Sequence, residues 1–189
     1  ESASRSGLCR WTFADLEKTA RAVAWSLLAR FHPGDRIAVW APNVAEHFLV
    51  DLGAALAGLT VVPIPLAVRS RELHHLLGQS GSSGLFLVPD HRGVEMAGVA
   101  AQVDRDLPAL REIVDLACWS EILSAGSSNE PLPSVAPSDP AQLMFTSGST
   151  GLPKGALLHH HGITNASRFV AAGMGAGAGD VWLNFMPLS

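Results

Sequence analysis

"DRIAVWAPNVAEHFLVDLGAALAGLTVVPI", Asp35 to Ile64, is the stretch on which the fold turns. Its opening, Asp35 to Trp40, becomes apolar from Ile37 to Trp40, as a buried strand would be. Asn43 to Gly58 then carries its apolar residues at helical spacing, with Asn43 placed to cap the first turn. Thr60 to Ile64 returns to a short β-branched run, a second strand. Strand, helix and strand follow one another with little room between them.

The same alternation continues on both sides. Upstream, "TFADLEKTARAVAWSLLARF" opens with Thr12 and Asp15 spaced as a capping box. Leu16, Ala20, Val23, Leu27 and Phe31 recur at helical spacing, and the His32–Pro33–Gly34 sequence stops the helix. Downstream, Ser70 to Ser80 reads as a helix with Ser70 as cap, and Gly84 to Val88 as a third strand. A helix over 94–103 and a strand over Arg111 to Leu116 complete the series. Strands alternating with helices of this length argue for an α/β fold, a mostly parallel sheet covered by helices on both faces.

Composition changes at "SAGSSNEPLPSVAPSDP", Ser124 to Pro140, where four prolines and a string of serines predict a linker. The expected organisation is therefore an N-terminal α/β subdomain over 1–123, a linker over 124–140, and the start of a second α/β subdomain over 141–189. That last part reads as a strand at "AQLMFT", a loop, a strand at "GALLHHH", a helix from about Ile163 to Ala172, and a strand at "DVWLNFMP".

The 189 residues carry 13 basic and 17 acidic side chains without long blocks, a net charge of -4. No basic stripe points to nucleic acid. Cys9 and Cys118 have neither CxxC nor His-paired spacing, which suits a reducing compartment. The N-terminal residues have no apolar run of the secretory kind. The least charged run, Leu52 to Val68, is interrupted by Pro63 and Pro65, so no integral membrane segment is expected. These features together predict a soluble, cytoplasmic protein.

The chemistry concentrates in "MFTSGSTGLPKGALL", Met144 to Leu158. Gly148, Gly151 and Gly155 allow a backbone to approach a ligand closely. Thr146, Ser147, Ser149 and Thr150 offer hydroxyl donors, Lys154 a mobile positive charge, and Pro153 stiffens the return. Such a set suits the oxygens of a polyphosphate, which need N–H groups, hydroxyls and a cation. It is not a Walker A loop: Gly155 follows the lysine, and a strand rather than a helix comes next. The rival reading is a flexible surface hairpin rich in turn residues.

"TSGSTGLPKG" resembles the signature loop of the adenylate-forming (AMP-binding) superfamily, and the segments from Trp11 to Ser189 resemble the N-terminal part of its fatty-acyl-CoA synthetases. The resemblance implies that a carboxylate attacks the α-phosphorus of ATP, bound with Mg2+, to give an acyl-adenylate and pyrophosphate. The acyl group then passes to coenzyme A. It further implies that Thr146, Ser147, Gly148, Ser149, Thr150, Gly151 and Lys154 bind the β- and γ-phosphates. It implies too that His160 matches a histidine common in the family, with a substrate-side or structural role.

By the same resemblance the ribose-binding aspartate and the catalytic lysine fall beyond Ser189, so the chain is expected to be an inactive N-terminal fragment of a longer enzyme. Two other readings stay open: an adenylating enzyme that delivers acyl groups to a carrier protein, and a non-catalytic binding or scaffold module. A fatty acid is the expected substrate, the missing C-terminal part the expected partner, and a homo-oligomer is left open.

Other motifs carry less. His159 and His161 would share a face if the strand ran through them, but no acidic or cysteine ligand is near in sequence, and no metal site is expected. Gly173 to Asp180 meets a loose dinucleotide pattern in the wrong context, after a helix and before a strand. The five tryptophans are scattered.

Overall fold

The computed structural model describes residues 2–4, 7–103, 107–124, 131–146, 153–184 and 186–188. A short hairpin comes first, β1 (Ser2–Ser4) with β2 (Gly7–Cys9). Helix α1 (Phe13–Leu28) then starts at Thr12, and the capping box is present. The Asp15 amide donates to Thr12 Oγ1 at 3.1 Å, and the Thr12 amide donates to Asp15 Oδ2 at 3.1 Å. Two of the free N–H groups of the first turn are thereby satisfied. Its expected apolar face is real: Ala20, Val23, Leu27 and the following Phe31 are buried, and Leu16 packs on the same core.

The strand–helix alternation follows as β3 (Arg36–Trp40), α2 (Ala45–Ala57), β4 (Thr60–Pro63), α3 (Ser70–Ser80) and β5 (Gly84–Leu87). After it come a tight hairpin of β6 (Asp90–His91) and β7 (Val94–Glu95), then α4 (Met96–Val103) and β8 (Glu112–Asp115). A 3-10 turn (Leu116–Cys118) leads into α5 (Trp119–Ser124). Last come β9 (Pro140–Thr146), β10 (Lys154–His159) and α6 (His160–Gly173). Six strands form one sheet in the order β10-β9-β4-β3-β5-β8, every neighbouring pair parallel except β9 and β10. Residues Ile37 to Trp40, Val61, Val62 and Leu85 to Leu87 are buried. A parallel sheet covered on both faces requires that.

Several local expectations give way to tertiary structure. Helix α2 starts one residue later than expected, with Val44 at its N-cap and no side-chain cap. The Val44 amide donates to the Pro42 carbonyl at 2.7 Å, a three-residue turn that points Asn43 away from the helix. Helix α3 is capped at Arg69 rather than Ser70, because Glu72 Oε2 accepts from the Arg69 amide at 3.3 Å. The hairpin β6–β7 and helix α5 have too few residues to show a period and were not expected. The described residues of "DVWLNFMP" form no strand; Val181 and Leu183 are exposed. An apolar run does not by itself supply a strand with a partner.

The sheet also continues across the Pro/Ser-rich segment. Gln142 of β9 pairs with Val61 of β4, so the β9–β10 hairpin extends the sheet of the first 123 residues at its edge. Thr60 Oγ1 donates to the Pro140 carbonyl at the start of β9, at 3.5 Å.

Candidate active site

Register puts the chemistry at one end of the sheet. Ile37, Val61 and Gln142 stand level across β3, β4 and β9. Trp40 ends β3 three residues further on, and Thr146 ends β9 four residues further on. Both therefore leave the sheet at the carboxyl ends of its parallel strands, where ligands bind in open α/β sheets.

From Thr146 the chain crosses to β10 and returns antiparallel. Lys154 is the register partner of Thr146, and Gly155 that of Phe145. Thr146 Oγ1 donates to the Lys154 carbonyl at 3.3 Å, tying the two strand ends together below the loop. A Cβ on Gly155 would stand 3.0 Å from Leu143 Cδ1 and 3.5 Å from Phe145 Cε1, so a side chain there would make the Leu143 tip give way by a few tenths of an ångström. Lys154 is exposed and has no ion-pair partner among the described residues. Of the seven expected phosphate ligands, the structure thus brings Thr146 and Lys154 together. Ser147, Gly148, Ser149, Thr150 and Gly151 lie outside the described residues.

The histidine run is placed differently from expectation. The strand ends at His159, where the register slips by a bulge, and His160 opens helix α6. His159 and His161 therefore do not share a strand face. The His159 ring caps the helix, its Nδ1 accepting from the Gly162 amide at 2.9 Å. His161 Nε2 meets Asn165 Nδ2 at 2.8 Å. The His160 amide donates to the Asp139 carbonyl at 3.2 Å, and its half-buried ring lines a groove with Ala55 and Leu56 of α2. Strand β10 separates His160 from Lys154 by five residues and more, about 17 Å at strand rise. Among the described residues, His160 and Lys154 thus stand at opposite ends of β10.

Two features were not legible in advance. On α2, His47 and Asp51 stand one turn apart, Nε2 to Oδ2 3.9 Å. Burial pushes the Asp51 carboxyl up to about 7 and holds the His47 imidazole below its usual range. Asn43, released from capping, reaches the segment after α6 instead: its Nδ2 donates to the Met186 carbonyl at 2.7 Å, and its Oδ1 accepts from the Leu188 amide at 2.9 Å. A contact spanning 143 residues leaves no local signal.

Known proteins share both the sequence pattern and the fold of this chain. The family described as AMP-binding enzyme matches residues 2–189. An acyl-CoA ligase of Aspergillus fumigatus, sidI, is 33% identical over 195 aligned residues that cover 91% of this chain and 32% of that protein. The mitochondrial medium-chain acyl-CoA ligase ACSF2 of Rattus norvegicus is 28% identical, covering 85% of this chain and 31% of that one. Among solved structures, the N-terminal domain of FACL13 from Mycobacterium tuberculosis superposes with a TM-score of 0.79 at 28% identity, over 90% of this chain and 42% of that one. The chain spans about a third of the length of the curated relatives it matches.

Proposed function

Because the chain belongs to the AMP-binding enzyme family, we propose that it is part of an ATP-dependent acid:CoA ligase with a fatty acid as its carboxylic substrate. The observation that carries the reading is the hairpin mouth. Thr146 and Lys154 face each other where the serine- and glycine-rich connection leaves the carboxyl end of the sheet.

In the proposed first step a carboxylate oxygen attacks the α-phosphorus of ATP, which enters with Mg2+ as its counter-ion. The bond from that phosphorus to the bridging oxygen breaks, and pyrophosphate leaves with the electron pair. Charge grows on the departing pyrophosphate. Hydroxyls and amides of Thr146, Ser147, Gly148, Ser149, Thr150 and Gly151, with the Lys154 ammonium, are the donors assigned to it. Donors fixed before the reaction lower the barrier without reorganising. In the second step the sulfur of coenzyme A attacks the acyl carbonyl, and AMP leaves. His160, one sheet end away, takes the structural side of its two candidate roles.

Among the described residues no helix is long and apolar enough to cross a membrane. A cytoplasmic setting belongs to the same proposal, supported by cysteine usage. The chain by itself is not expected to turn over, since it spans only a third of its relatives.

The test is exchange of labelled pyrophosphate into ATP by the full-length enzyme, across a panel of fatty acids, followed by mass spectrometry of the thioester. Acid-dependent exchange with formation of acyl-CoA is expected. Exchange with acyl transfer to a carrier-protein thiol alone would replace coenzyme A by that acceptor. No exchange with any acid, while ATP still binds, would favour a non-catalytic module.

A further inference from the structure

We propose that Asn43 is a positioning residue for the adenylation site: its side-chain amide holds the strap of Met186 to Leu188 at the carboxyl end of the sheet, one strand removed from the strand that delivers the glycine-rich loop. The inference rests on the ligase reading above and adds to it a residue that belongs to none of its motifs.

Three observations carry it. The first is chemical. Asn43 presents a donor to the Met186 carbonyl at 2.7 Å and an acceptor to the Leu188 amide at 2.9 Å. A primary amide offers both groups in one plane, as a peptide unit does, so it pairs with an extended backbone like an added strand residue. A carboxylate lacks the donor, and a hydroxyl has a single atom for both tasks.

The second is local. The turn from Pro42 to Val44 withdraws Asn43 from the helix start and leaves α2 without a side-chain cap. The chain forgoes a cap at a residue type that caps well, and the amide is used over a separation of more than 140 residues.

The third is spatial. Asn43 follows the end of β3 and Thr146 ends β9, with only β4 between these strands. Two strand spacings are ~10 Å, so Asn43 and Thr146 stand at the same, ligand end of the sheet. Both bonds are exposed to solvent and add little to folding stability. Their effect is on where the strap runs, and active-site geometry is sensitive to displacements of about 1 Å.

The experiment uses the full-length enzyme and its Asn43→Ala and Asn43→Gln variants. Three quantities are read: kcat and KM in acid-dependent pyrophosphate exchange, Tm, and hydrogen exchange of the Leu188 amide. Asn43→Ala should lower kcat about ten-fold or more, leave KM for ATP and Tm unchanged, and abolish protection at Leu188. Asn43→Gln, which keeps the amide on a longer stem, should recover part of both the rate and the protection. Native kinetics in Asn43→Ala, or a rate loss that only tracks a fall in Tm, would overturn the proposal. If the native enzyme shows no exchange at all, the ligase reading fails and this role falls with it. Protection at Leu188 then still reports the clamp, so the two failures are told apart.

Discussion

Thr146 and Lys154 are register partners at the mouth of the β9–β10 hairpin, and the Thr146 hydroxyl donates to the Lys154 carbonyl across it. The backbone of the lysine is therefore held from below while its side chain stays exposed without an ion-pair partner among the described residues. A cation on an anchored backbone suits a leaving group that gains charge only in the transition state.

That arrangement predicts the behaviour of Lys154→Ala in the full-length enzyme. Removing one preorganised donor from developing charge costs on the order of a hundred-fold in rate. Adenylation should slow by about that factor in pre-steady-state release of pyrophosphate. Unchanged adenylation would remove the loop from the mechanism.

A second prediction concerns pH. Burial raises the Asp51 carboxyl to about 7 in the folded chain, from an unfolded value of 3.8. Between about pH 4 and pH 7 the folded state holds a proton that the unfolded state has lost, so this group lowers stability as pH rises through that window. The depressed His47 acts in the opposite sense, reducing stability as pH falls below its unfolded value of 6.5. Asp51→Asn removes the first effect alone. Its Tm advantage over the native protein should grow from pH 4 to pH 7, reaching at most a few kcal/mol in stability, and level off above. A constant difference across that range would contradict the assignment.

Packing gives a third. A Cβ on Gly84 would stand 2.5 Å from Cζ of Phe31, a ring buried between α1 and β5 with Phe86 6.1 Å away. The ring is buried, and Gly84 is paired on both sides, with Ile37 of β3 and Glu112 of β8. Gly84→Ala should destabilise by about 1–3 kcal/mol, the usual cost of overpacking, measured by denaturant unfolding. Combining it with Phe31→Leu should recover part of the loss, because the clash is with that ring; equal losses in both backgrounds would point elsewhere.

How far the chain could be read depended on whether a signal was local. The Thr12–Asp15 capping box and the α1 stripe were legible because both sit within a few turns of one helix. The buried runs at β3, β4 and β5 were legible because parallel strands covered on both faces are apolar throughout. Asn43 was misread as a cap by the same local logic, since nothing within ten residues reveals Met186 or Leu188. The strand expected at 180–187 failed for a related reason: its residues are apolar enough for a strand, but no strand pairs with them among the described residues.

By itself, then, the sequence determined the α/β alternation, the Pro/Ser-rich composition of 124–140 and a serine- and glycine-rich connection flanked by two strands. These are properties of spacing and side-chain chemistry along the chain. Tertiary structure alone decided that β9 joins β4 in the same sheet, that Thr146 therefore faces the same end as Asn43, and that His160 lies at the other end of the hairpin. Strand order and register arise from which hydrogen-bonding edges meet once the helices have covered the sheet, and no short window of residues contains that information.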